Sequence, residues 1–258
     1  MFPWKTALVT GASAGIGESI AEQLVAAGTP TIVVARRGDR LDTMAKGSSL
    51  IEPLVADLLT SDGCARVRAR LKSKTDPVDL LVNNAGFGVN GNVADAPMDG
   101  SLGMIDLNIR ALTELTRAAL PRMIEAHRGW ILQVSSMASF QPGPGAAIYS
   151  ATKAYVTSFS EALHEELRGT GVQVCALCPG FTRTEFHAVS NMTDEEVGRV
   201  PSFAWLKADD VARSGLRAVA AGRALDVPGA VYKGASAVTG FLPRRAARRM
   251  MGVAAKRM

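Results

Sequence analysis

Residues 6–35 read TALVTGASAGIGESIAEQLVAAGTPTIVVA. Thr6 to Val9 is a short apolar run with the pattern of a buried strand. Thr10-Gly-Ala-Ser-Ala-Gly-Ile-Gly17 follows without a break. Glu18 to Ala27 carries a helical pattern that stops near Gly28, and Thr31 to Ala35 is a second strand rich in β-branched residues. Strand, glycine turn, helix, strand is the order that cradles the pyrophosphate of a dinucleotide. Gly11 permits the tight turn. Gly15 and Gly17 let a phosphate approach the helix N-terminus, where unpaired N–H groups and the helix dipole favour an anion. Ser13 and Ile16 belong to the same turn. The spacing is GxxxGxG, and its weight comes from lying between two strands.

The alternation continues outward. Gly38 to Lys46 is a short helical piece, Leu50 to Val55 a third strand, Asp62 to Lys74 a helix and Val78 to Val82 a fourth strand. Asn83-Asn-Ala-Gly86 ends that strand, and Gly88 and Gly91 prolong the loop. Asp99 to Arg128 reads as a long helix, broken at Asn108 and bent near Pro121. Trp130 to Val134 is a strand, Tyr149 to Arg168 a helix, Val172 to Leu177 a sixth strand, Lys207 to Ala221 a helix and Gly229 to Tyr232 a last short strand. The pattern predicts a mostly parallel, doubly wound α/β sheet of about seven strands, covered by helices on both faces, in a single domain over residues 1–240. Residues 181–206 break the rhythm. They lie beyond the end of a strand, where such sheets bind ligands. They read either as a lid, with Phe186, Phe203 and Trp205 as wall residues, or as an ordinary packed excursion.

No apolar run reaches the 18 or so residues of a membrane span, and the N-terminus lacks the pattern of a signal peptide, so a soluble cytoplasmic protein is expected. Cys64, Cys175 and Cys178 are too few for a disulfide framework. Cys175-Ala-Leu-Cys178 lacks a second pair and sits in a strand, so the expectation is buried thiols and no metal. The net charge of +5 is uneven: Phe241 to Met258 holds six basic residues and no acid. The first 240 residues carry 23 basic against 24 acidic groups, which argues against a nucleic-acid binder. On a helical wheel, residues 244–258 set arginines opposite alanines and methionines, with Pro243 at the start. Such a tail can dock on the body or on a neighbouring subunit, stay partly disordered, or make weak contact with an anionic membrane surface.

The stretch QVSSMASFQPGPGAAIYSATK, residues 133–153, holds the candidate chemistry. Tyr149 and Lys153 are four apart at a helix start and share a face. A tyrosine has a reference pKa of about 10, so its anion at neutral pH costs roughly 4 kcal/mol without help. A neighbouring lysine favours the anion by charge, and a serine hydroxyl can orient a carbonyl. The set can protonate an alkoxide as hydride arrives, or deprotonate an alcohol as hydride leaves. Taken alone, the window fits a surface Tyr–Lys pair equally well.

With the glycine turn, Asp57, NNAG at 83–86, Asn108, Ser136, YSATK at 149–153 and PGFTRT at 179–184 in this order, the chain resembles the classical short-chain dehydrogenase/reductase family. The resemblance implies a Rossmann-like fold. It also implies Tyr149 as acid/base, Lys153 lowering its pKa and binding the nicotinamide ribose, and Ser136 orienting substrate, with Ser135 the weaker candidate. Asn108 would bend the long helix and hold a relay water. Asp57 would meet the adenine, Asn84 and Gly86 would line the cofactor cleft, and Pro179, Gly180 and Thr184 would complete it near the carboxamide. A homodimer or homotetramer is implied too, built on the helices that begin near Ala111 and Tyr149. There the small residues Ala151, Ala154, Ser158 and Ala162 permit close packing, though packing within the chain explains them as well.

The second strand ends in Val34-Ala35-Arg36-Arg37, where an NAD site usually offers an acid. Two guanidiniums suit a 2′-phosphate, so NADP (NADPH) is the expected cofactor. The expected function is an NADP-dependent oxidoreductase acting on a small carbonyl or alcohol, by lean an apolar ketone, aldehyde or 3-oxoacyl compound. The alternatives are an alcohol, steroid or sugar dehydrogenase, or a non-catalytic dinucleotide sensor on the same fold.

Overall fold

A computed structural model describes residues 2–186, 190, 194–241, 245, 248 and 249. Its main sheet has β1 (Ala7–Thr10) beside β2 (Thr31–Ala35), which borders β3 (Ile51–Val55). On the other side of β1 come β4 (Leu80–Asn83), β5 (Gly129–Val134) and β6 (Val172–Leu177). All these pairs are parallel. Parallel strands need crossover connections, and the crossovers lay helices on both faces.

Alternation along β1 sorts the core into two layers. Ala7 and Val9 join Ile20 and Leu24 of α1 (Gly15–Ala26), Leu41 of α2 (Gly38–Gly47) and residues further along the chain. Leu8 faces the opposite layer, with Val67 of α3 (Ser61–Leu71). The long helical stretch comes in three parts: α4 (Met98–Ile105), a π-helical turn at Asp106–Ala111, and α5 (Leu112–Glu125), which contains Pro121. The interruption expected at Asn108 is this π turn, a device that recurs at functional sites. Leu115 and Ala119 of α5 and Leu163 of α6 (Ala147–Glu166) complete the second layer.

The excursion at 181–206 is pinned at both ends by a two-stranded parallel sheet, β7 (Thr182–Arg183) with β8 (Leu206–Lys207). Between them lies α7 (Asp194–Arg199); residues 187–189 and 191–193 of the expected lid lie outside the described residues. Helix α8 (Ala208–Ala220) covers α1, with Val211, Leu216 and Val219 in the first layer. The seventh strand of the sheet is β9 (Leu225–Asp226), paired with Ala176 and Leu177. The strand expected at Gly229 to Tyr232 is not one. Gly229 turns the chain at φ 86°, and α9 (Ala230–Phe241) begins there. The sequence pattern assigns no strand to Leu225–Asp226. Asp226 is buried, because it accepts from Ser214 Oγ at 2.6 Å and pairs with Arg223. The expected tail helix over 244–258 lies outside the described residues except for Arg245, Arg248 and Arg249, which are exposed. Among the described residues, no helix is long and apolar enough to cross a membrane.

Strand order reverses at β1, between β2 and β4, so a crevice opens at the C-terminal ends of those strands. The glycine turn, the NNAG loop and the Ser–Tyr–Lys stretch all converge there.

Candidate active site

The glycine turn is held from below by Asn84. Its side-chain Nδ2 donates to the carbonyls of Thr10 (2.9 Å) and Gly11 (3.1 Å). Thr10 Oγ1 accepts in return from the backbone N–H of Asn84 and of Ala85, each at 3.0 Å. Gly11 and Gly15 have φ of 65° and 62°, which favours glycine. A Cβ at Gly17 would lie 2.4 Å from both Asn84 Nδ2 and the Gly11 carbonyl, so this glycine is fixed by the turn's own packing. Helix α1 has no side-chain cap at its start, leaving its first N–H groups for an anion. The turn therefore fits a dinucleotide pyrophosphate. Ile16 is partly buried against the first core layer, and Ser13 is buried behind the turn.

Tyr149, Lys153 and Ser136 meet on the far side of the crevice. The Ser136 hydroxyl lies near enough to that of Tyr149 to lower its pKa. Ser136 caps a short 3-10 turn, Met137–Phe140, and its Oγ accepts from the Ala138 N–H at 3.1 Å. That leaves the serine's own proton to donate. Ser135 points the other way. Its Oγ donates to the Lys153 carbonyl (2.9 Å) and shares a 2.7 Å hydrogen bond with Thr157, so it fastens β5 to α6 and takes no part in the site.

Lys153 is buried, and its Nζ donates to the Val134 carbonyl at 2.9 Å. It lies 5.8 Å from the centre of the Tyr149 ring. The electrostatics differ from expectation. Tyr149 is half-buried as a residue, yet burial of its hydroxyl pushes its pKa up to about 12, with the Ser136 hydrogen bond acting against that rise. Burial pushes Lys153 down to about 8. Removing both groups from water thus outweighs the attraction of ammonium for phenolate that the spacing suggested. Tyr149 holds its proton at neutral pH.

Asn108 reaches the site from the π turn with its side chain fully committed. Nδ2 donates to the Phe87 carbonyl (2.9 Å) and to Thr152 Oγ1 (3.0 Å), and Oδ1 accepts from the Phe87 N–H (3.2 Å). Thr152 Oγ1 in turn donates to the Tyr149 carbonyl at 2.8 Å. Asn108 therefore positions the 86–88 loop against the first turn of α6. A Cβ at Gly86 would meet Asn108 Oδ1 at 2.9 Å, and one at Gly88 the Tyr149 ring at 2.9 Å. The sequence offered no signal for Thr152.

The arginines at the end of β2 separate. Arg37 turns onto the glycine turn, donating to Ser13 Oγ from Nε (3.1 Å) and NH2 (2.9 Å). Arg36 is exposed, and the arginine that joins Arg37 at the turn is Arg40, whose NH1 donates to the Ser13 carbonyl at 3.1 Å. Arg37 and Arg40 each also donate from NH1 to Glu185 at 2.7 Å. The two guanidiniums hold the Glu185 carboxyl below the usual carboxylate range. Arg40 was findable: it lies in the first turn of α2, three residues on from Arg37 at the helix start.

Other expected residues also make contacts within the chain. Asp57 Oδ1 accepts from the Leu59 N–H at 3.0 Å, shaping the turn after β3. The Pro179 carbonyl accepts from the Met137 N–H at 2.9 Å. Gly180 is a seat for the Tyr232 ring, which a Cβ would meet at 2.0 Å. Tyr232 donates to the Ala204 carbonyl (2.7 Å) and accepts from the Phe181 N–H (3.0 Å), tying down both ends of the excursion. Of the three aromatics expected to wall the substrate, only Phe186 meets Tyr149, with ring centres 5.7 Å apart. Phe203 is 72% exposed, and Trp205 packs on Phe181 and under the Arg183 guanidinium. Cys64, Cys175 and Cys178 are buried free thiols, and burial pushes their pKa values up.

Comparison with known proteins agrees with this architecture. A protein from Myxococcus xanthus named only as an uncharacterized oxidoreductase is 38% identical over 193 residues, covering 73% of this chain and 76% of that protein. The NADP-dependent 3-hydroxy acid dehydrogenase of Salmonella typhi is 37% identical over 193 residues, 73% of this chain and 77% of that one. A short-chain dehydrogenase from Sphingobium yanoikuyae, solved in complex with NADPH, superposes with a TM-score of 0.80 at 30% identity, covering 93% of this chain and 97% of that chain. The family model for short chain dehydrogenases matches residues 5–195. The chain belongs to the short-chain dehydrogenase family.

Proposed function

We propose that this oxidoreductase reduces a carbonyl with NADPH, using Tyr149 as the proton donor. The observation that carries the reading is the meeting of Tyr149, Ser136 and Lys153 in the crevice, with the Tyr149 ring over Gly88 and burial raising the pKa of its hydroxyl. NADPH supplies the hydride. Ser136 orients the carbonyl oxygen by turning its one hydroxyl proton from Tyr149 to the substrate, and Tyr149 protonates the alkoxide as it forms. Lys153 would hold the ribose hydroxyls beside Tyr149, and the N-terminus of α1 the pyrophosphate. NADPH as the cofactor favours reduction as the working direction. Phe186 against Tyr149 supports an apolar or acyl-bearing ketone, and the name of the Salmonella relative adds 3-oxo acids to the candidates. A kinetic screen of simple ketones, 3-oxo acids, 3-oxoacyl thioesters and steroids with NADPH tests the reading. Failure to oxidise NADPH with any of them would favour the sensor alternative.

NADPH is favoured over NADH because Arg37 and Arg40 converge on Ser13, with no acid at the end of β2. Replacing both arginines by alanine is expected to raise the KM for NADPH by about tenfold or more, these being partly exposed, charge-assisted contacts, and to leave that for NADH nearly unchanged. Equal kcat/KM for the two cofactors in the wild type would defeat the assignment.

A dimer or tetramer is favoured by α6. Ala151, Ala154, Ser158 and Ala162 are all exposed on that helix, so packing within the chain does not account for them. Light scattering at micromolar concentration should give a multiple of 27.1 kDa. A mass equal to the single chain would remove this reading.

A further inference from the structure

Three consecutive residues after β7 close on three parts of the site. The Thr184 side chain lies over the glycine turn, where a Cβ at Gly15 would meet it at 2.8 Å. Glu185 spans the Arg37 and Arg40 guanidiniums, one oxygen to each at 2.7 Å. Phe186 lies against the Tyr149 ring. The chain thus straps the crevice from its phosphate end to its proton donor.

The middle contact places an anion on the two guanidiniums that a 2′-phosphate would use. Carboxylate and phosphate take the same charge-assisted bonds from an arginine fork. Two anions cannot share these donors without repulsion, and Glu185 is half-exposed, so its carboxylate can exchange the guanidiniums for water. We propose that Glu185 is a built-in competitor for the 2′-phosphate of the dinucleotide, and that this phosphate displaces it, lifting residues 184–186 from the arginines. The inference rests on the reading of Arg37 and Arg40 as the phosphate donors. Its consequence is that a dinucleotide without the 2′-phosphate leaves the Glu185 contact in place, so this acid tunes how the strap responds to each cofactor.

The test is calorimetric titration of the full chain with 2′,5′-ADP and, as the control lacking the 2′-phosphate, with 5′-AMP. Glu185→Gln keeps the size of the side chain and removes its charge. It is expected to bind 2′,5′-ADP about three- to tenfold tighter, the scale of one or two partly exposed ion pairs, with 5′-AMP unchanged. The gain should shrink in high salt, and it should vanish when Arg37 and Arg40 are both alanine. If Glu185→Gln binds 2′,5′-ADP no better while the arginine variants bind it worse, the competition is wrong and the phosphate reading stands. If the arginine variants bind it as well as the wild type, both fall. Equal tightening toward 5′-AMP would also overturn the proposal, since the acid would then be acting on something other than the phosphate.

Discussion

Tyr149→Phe is expected to lower kcat for carbonyl reduction by at least about 100-fold, the usual contribution of a positioned acid. The change deletes one oxygen and leaves the ring on its neighbours, Gly88 beneath it and Phe186 beside it. Cofactor affinity, read by quenching of protein fluorescence, should stay close to wild type. Asn108 and Thr152 hold the backbone of the first turn of α6 whatever side chain residue 149 carries. The loss should therefore appear in kcat rather than in KM for the cofactor. Retention of more than about a tenth of wild-type kcat would show that another group supplies the proton.

Lys153→Met should abolish most turnover and at the same time make the protein more stable. The residue is 5% exposed, its amine donates to the Val134 carbonyl, and burial lowers its pKa from 10.5 to about 8. A displacement of this kind corresponds to roughly 3 kcal/mol against the charged form, offset by about 1 kcal/mol for the lost hydrogen bond. A net gain of about 1–3 kcal/mol is expected at neutral pH, measured by denaturant unfolding without added cofactor. The pH dependence has a definite sign. Between about 8 and 10.5 the unfolded chain binds more protons at this lysine than the folded one, so wild-type stability from this group rises with pH across that window. The advantage of the variant is therefore full below about pH 8 and fades toward 10.5. A variant less stable than wild type at pH 7 would mean that the ammonium is better compensated than its burial implies.

Much of the site was legible because its signals are local. The glycine turn, the Tyr149–Lys153 spacing and the interruption at Asn108 are each contained within a turn or two of chain, and the structure has all three at the crevice. Choices between adjacent residues were harder. Consecutive side chains leaving a strand point to opposite sides, so Arg36 and Arg37, like Ser135 and Ser136, could be separated only with the neighbouring helices in place. Partners from distant segments were not legible at all. Arg37 and Glu185 are 148 positions apart, and Tyr232 meets Phe181 across 51. Nor does composition reveal that a buried lysine and tyrosine are governed by lost solvation. That depends on how completely β5 and α6 enclose them.

The pairing of α1 with α8 has a consequence for how the chain is made. The apolar side of α1, Ile20 and Leu24, is covered by Val211, Leu216 and Val219, and Ser19 Oγ donates to Asp209 across 190 positions of sequence. At roughly 5–20 residues per second of synthesis, the glycine-turn unit emerges about 10–40 s before its cover exists. During that interval an amphipathic helix and an open sheet face stand uncovered beside the ribosome. The nascent chain is thus a natural client for chaperones that hold exposed apolar surface, and a chain ending before residue 208 would leave that face bare permanently.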